Sequence, residues 1–201
     1  MRKVFSDLTS PPAGADQRLP LVDLVMPTLR QLSPDQYRAF RANVRHLVEN
    51  DQRIHLFEYA LQKSLLRHLE LYFSKSTGPK VKYHGIVPLL PDVGALLTGL
   101  AVLGNDDPVA RDEAFAAGVR ELLVKSSLTR GPACDLAAID AGLDRLAQSS
   151  PDVKRTVLKA CRETVTHDGV VDLREYELLR AIADTLDAPM PPLPPVSTGT
   201  E

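Results

Sequence analysis

Apolar residues along this chain recur three and four positions apart, which is the spacing of a buried helix face. Tyr37, Phe40, Val44, Leu47 and Val48 follow it, as do Leu61, Leu65 and Leu69, and later Leu179, Ile182, Ala183 and Leu186. The pattern predicts helices near 20–31, 34–50, 55–73, 90–103, 107–124, 135–148, 151–166 and 172–187. No segment shows several alternating strands, so the fold class is all-α. Pro34 and Pro151 fall at a first helical turn, where a missing amide costs nothing, and Ser33 and Ser150 stand at the N-cap positions. Residues 74–88, with Gly78, Pro79 and Gly85, form the longest internal loop, and Val81-Lys82-Tyr83 within it reads as a short extended piece. Gly131-Pro132 marks another break. Residues 1–18 read as a flexible leader, 19–188 as the helical domain, and the proline-rich 189–201 as an extended, disordered tail.

Two stretches match without a gap at an offset of about 117 residues. Residues 33–69 align with 150–186: Ser33-Pro34-Asp35 with Ser150-Pro151-Asp152, Arg38 with Arg155, Arg45 with Arg162, Asp51 with Asp168, and Glu58-Tyr59 with Glu175-Tyr176. Each copy reads as a helical hairpin turning at its aspartate. One hairpin cannot bury its apolar face alone, so the two copies are expected to pack together, with the helices of about 90–148 completing the bundle. In the second copy Gly169 is suited to positive φ, Val171 to a place under the turn, and Asp172 with Glu175 to a capping box. The first copy has Gln52 and His55 at the glycine and cap positions.

Composition narrows the function. The 201 residues carry 24 Lys plus Arg against 26 Asp plus Glu, a formal charge of -2, without the basic excess expected of a nucleic-acid binder. Two cysteines, Cys134 and Cys161, are too few for a disulfide framework and read as reduced core residues. The Met1-Arg2-Lys3 start lacks the apolar run of a secretory signal. The longest apolar stretch, Pro88 to Gly104, contains Asp92 and two prolines and reads as a buried helix rather than a membrane span. The expected location is therefore the cytoplasm or a cytoplasmic face.

The pattern (Thr/Ala)-x-Asp-Gly-x-(Val/Ile)-x-x-x-Glu, read at 166–175, resembles the TerB-like domain of tellurite-resistance proteins. The runs LPLVDLVMPTLRQLSPDQYRAFRANV (19–44), LFEYALQKSLLRHL (56–69) and LLRAIADTLDAPMPPL (178–193) are similar to the cytoplasmic C-terminal region of bacterial membrane-bound zinc metallopeptidases of the HtpX/CAAX-protease type. This resemblance implies a TerB-like helical bundle on the cytoplasmic face of the inner membrane, part of a larger protein or complex. Those peptidases use a helix-borne HExxH motif, two histidines one turn apart with a general base between them. None of His46, His55, His68, His84 and His167 forms it. The expectation is a non-catalytic interaction or regulatory module whose partner is a protein, a membrane protease or its complex, with no required cofactor.

A second expectation places a divalent metal, Mg²⁺, Ca²⁺ or Mn²⁺, on the repeated acids Asp51, Glu58, Asp168, Asp172 and Glu175, in a stand-alone stress-response protein of the tellurite-resistance type. The alternative is that each Asp closes a turn and each Glu caps a helix. An EF-hand is excluded: placing Gly169 at loop position 6 puts Thr164 at position 1, where a carboxylate is required. Arg38, Arg41 and Arg45 form a basic stripe, either a solvated face or a docking site for an acidic partner. No P-loop, GxGxxG or GxSxG motif is present.

Overall fold

The computed structural model describes residues 18–50, 56–74, 80–124, 128–169, 171, 173–188 and 190. Among them are eight α-helices and no strand: α1 (Arg18–Leu29), α2 (Pro34–Asn50), α3 (Leu56–Ser74), α4 (Leu90–Gly104), α5 (Pro108–Glu121), α6 (Leu136–Leu146), α7 (Pro151–Val165) and α8 (Leu173–Thr185). The protein is all-α, and every helix expected from the spacing is present with ends shifted by a few residues. The leader before Arg18, residues 51–55, where the first copy is expected to turn, and residues 191–201 of the expected tail lie outside the described residues.

Local chemistry explains the helix starts. Ser33 and Gln36 form a reciprocal capping box at α2: Ser33 Oγ accepts from the Gln36 amide at 3.2 Å, and Gln36 Oε1 accepts from the Ser33 amide at 2.8 Å. Asp107 and Asp135 cap α5 and α6 by accepting from the amides of Ala110 and Ala138. Ser150 occupies the N-cap position of α7 with extended backbone, but its hydroxyl makes no cap. Its amide instead donates to the Tyr83 carbonyl at 2.8 Å. The expected extended piece at 81–83 is thereby reduced to one isolated bridge, Tyr83 to Ser149. Gly169 has φ +78°, the left-handed conformation that stops the chain after α7.

The most apolar helix, α4, is the axis of the bundle and packs against α5, α6, α7 and α8. Val87–Gly104 is long and apolar enough to cross a membrane by length and composition alone, and 56% of that window is buried inside the protein. Leu97 of α4, Leu143 of α6, Leu158 of α7, and Leu179 and Ile182 of α8 are completely buried together. Each such side chain contributes roughly 1.5–3 kcal/mol relative to exposure. Two crossings are closed by glycine: Gly118 of α5 against Ala160 and Thr164 of α7, and Gly142 of α6 against Asp92 of α4. Cys161 lies in this core with no access to solvent, and burial pushes its thiol up to about 12.

The repeated hairpins share local form and differ in setting. Asp35–Arg38 and Asp152–Arg155 make the same i,i+3 ion pair at equivalent positions. The second helices, α3 and α8, pack side by side. The first helices diverge: α7 is inserted against α4 and α5, whereas α2 rests with α1 on the end of α3. There Met26, Tyr37 and Leu69 bury one another in a second, smaller cluster, with Tyr37 stacked on Phe73 at 4.3 Å.

Candidate functional site

Of the five acids singled out for metal, the structure places Glu58, Asp168 and Glu175. Glu58 and Glu175 sit in the first turns of α3 and α8, both half-buried. The Glu175 carboxylate lies directly over Gly104 at the end of α4. Asp168 is exposed on the turn after α7. Asp51 and Asp172 lie outside the described residues. Among the described residues, no three His, Cys, Asp or Glu side chains converge as metal ligands would. In the basic stripe, Arg38 pairs within its own helix to Asp35, and Arg41 reaches across to Glu70 of α3 at 3.4 Å. The Arg45 side chain lies outside the described residues.

A different set of side chains lines a groove of about 520 Å³ between α3 and α6. One face of α3 supplies Tyr59, Gln62, Lys63, Leu66, Arg67 and Glu70, at the three- and four-residue intervals of a single helical stripe. The facing stripe of α6 supplies Leu136, Ala137, Asp140 and Asp144. Two turn-spaced pairs therefore meet: Tyr59 and Lys63 on one helix, Asp140 and Asp144 on the other.

Their chemistry is tightly coupled. The Lys63 ammonium lies 2.5 Å from Asp140 Oδ1 and 2.8 Å from Asp144 Oδ1. The Tyr59 hydroxyl donates to the same Asp140 oxygen. Burial, the hydrogen bond to Asp140 and the charges of Asp140 and Asp144 all raise the Tyr59 phenol above its ordinary value, so it stays protonated and acts as a donor. Further along, Arg67 makes a bidentate pair with Asp187 just past α8, its Nε 3.0 Å from Oδ1. Burial lowers the amine of neighbouring Lys154, with Asp187 opposing and Arg67 adding.

The sequence carried a signal for this site: Tyr59-x-x-x-Lys63 aligns with Tyr176-x-x-x-Arg180 in the second copy, a repeated aromatic–cation pair one turn apart. Nothing in the sequence showed that α6 would bring two aspartates against the first copy. Comparison with protein-family models, with curated proteins and with solved structures gives no match for this chain.

Proposed function

We propose that this chain is a non-catalytic interaction module, TerB-like in organisation, that works at the cytoplasmic face of a membrane beside a zinc metallopeptidase and receives a segment of its partner in the α3–α6 groove. The observation that carries this reading is the state of the groove's polar groups. The Tyr59 hydroxyl donates to Asp140, and the Lys63 ammonium is shared between Asp140 and Asp144. Donors and carboxylates already paired to one another orient and select a ligand; a nucleophile or general base needs a lone pair available to attack or to take a proton. The apolar side chains Leu66, Leu136 and Ala137 between the charges provide contact area of the kind that protein grooves use.

The test is photo-crosslinking from the groove. A photoreactive residue at Leu66 or Ala137, in cells that express the full chain, is expected to yield an adduct with a membrane protein carrying a helix-borne HExxH motif. Adducts confined to soluble proteins without that motif would overturn the proposal. So would turnover in a broad hydrolase screen that is lost in Lys63→Met.

A further inference from the structure

Building on the interaction-module reading, we infer that the groove's occupant is a basic peptide segment whose Lys or Arg side chains engage the rim while its apolar side chains reach the floor. The charges are layered. In the Lys and Arg ion pairs made along α3 the cation is sunk and the anion is presented to solvent, whereas the His68–Asp184 contact runs the other way at 42% and 34%: Lys63 is 15% exposed against 50% for Asp140 and 66% for Asp144. Arg67 follows the same order against Asp187, at 19% and 37%, and Arg41 against Glu70, at 32% and 51%. An approaching molecule therefore meets carboxylates first.

The cations cannot serve an anionic ligand without being stripped of these partners. Lys63 is gripped by two carboxylates and Arg67 by a bidentate one. A phosphate backbone or an anionic headgroup would meet the exposed rim and be repelled. A guanidinium or ammonium gains a second contact to Asp144 or Glu70, whose outer faces remain in water. The groove's dimensions match side chains rather than a folded domain: about 520 Å³, bounded by two helices, with Leu66 and Leu136 supplying apolar surface. Cytoplasmic segments next to membrane spans are enriched in Lys and Arg, so the chemistry read from the groove suits a juxtamembrane segment of the proposed partner.

Titration of the full chain into a short fluorescein-labelled amphipathic peptide, with Leu and Lys/Arg at helical spacing, tests this by anisotropy. Its counterpart has every Lys and Arg replaced by Glu. The basic peptide is expected to bind and the acidic one not to, and affinity is expected to fall as salt rises from about 50 to about 300 mM. Asp144→Asn is expected to weaken binding roughly two- to fivefold, the range of one partly exposed ion pair. Ala137→Trp, which fills the groove from an exposed position, is expected to abolish it; both variants should keep the parent's helical circular dichroism and Tm. Binding of neither peptide, equal binding of both, or affinity unchanged by both substitutions overturns the inference. Crosslinking to a metallopeptidase without binding of the basic peptide would sink this inference alone. Peptide binding with adducts confined to unrelated soluble proteins would sink the functional reading and leave the groove's chemistry standing.

Discussion

Replacing Gly118 by alanine sets two well-defined effects against each other. Gly118 lies inside α5, where alanine is favoured over glycine by about 1 kcal/mol from backbone entropy alone. The added methyl group, however, has no room. It would collide with Thr164 Oγ1, lie 2.8 Å from the Ala160 carbonyl oxygen and 3.2 Å from Leu97 Cδ1. The carbonyl is backbone of the facing helix, so relief requires α5 and α7 to move apart and loosen the buried contacts on either side. Overpacking of this kind costs roughly 1–3 kcal/mol and here is expected to outweigh propensity, leaving a net loss of about 1–2 kcal/mol. In a protein of this size that corresponds to a fall in Tm of about 2–8 °C. Gly94 in α4 is the matched control. A methyl there meets only Leu128 Cδ2 at 3.5 Å, ordinary contact, so Gly94→Ala is expected to stabilise by about 0.5–1 kcal/mol. Thr164→Ala in the Gly118→Ala background removes one collision and leaves the carbonyl, so the double substitution should recover part of the loss. Thermal and urea unfolding followed by circular dichroism measures all three. If Gly118→Ala matches or exceeds the parent, or if both glycine substitutions shift stability in the same direction, the close helix crossing described above is wrong.

Tyr59→Phe deletes the donor to Asp140 while keeping the ring, and is expected to cost about 1–2 kcal/mol, read as the urea midpoint. Asp92 is buried at the α4–α6 crossing, and burial raises its carboxyl above the usual range while Arg145 opposes. With the folded value raised, its ionisation destabilises the fold as pH climbs from the unfolded value of 3.8 through the folded one. Asp92→Asn is therefore expected to raise Tm at neutral pH, with a gain that shrinks in acid; a gain that grows in acid would reverse the sign of this reasoning. Exhaustive chelation is expected to leave Tm unchanged, and a drop of several degrees restored by Mg²⁺, Ca²⁺ or Mn²⁺ would return the acidic turn residues to the role of ligands.

Helix positions were legible because they rest on local rules. Spacing of apolar residues, a proline at N1 and a glycine after α7 each act within a turn or two, and the structure places all eight helices where those rules put them. Duplication also left a local trace in the matched Asp–Arg pairs of α2 and α7. What the repeat could not convey is that equivalent residues serve different neighbours. Tyr59 is buried against Asp140, whereas its counterpart Tyr176 is exposed; Leu69 fills the small cluster, whereas Leu186 fills the large one. The candidate site is not legible in the sequence for the same reason. Its two halves lie 77 residues apart and meet only because α6 packs beside the first copy. The paired carboxylates of the groove, Asp140 and Asp144, stand on the unmatched middle helix α6.

Helix α3 belongs to both packing units. Leu56, Tyr59 and Ala60 near its start are part of the large core, while Leu65, Leu69 and Phe73 near its end anchor the small one. The groove stripe runs along the same helix from Tyr59 to Glu70, across the junction. A ligand clasped there splints the seam between the two units. The amides of α1 and α2, which rest on the far end of α3 and meet the groove through the Arg41–Glu70 pair, should then exchange with solvent more slowly, so that occupancy at one end of the molecule is legible as quietness at the other.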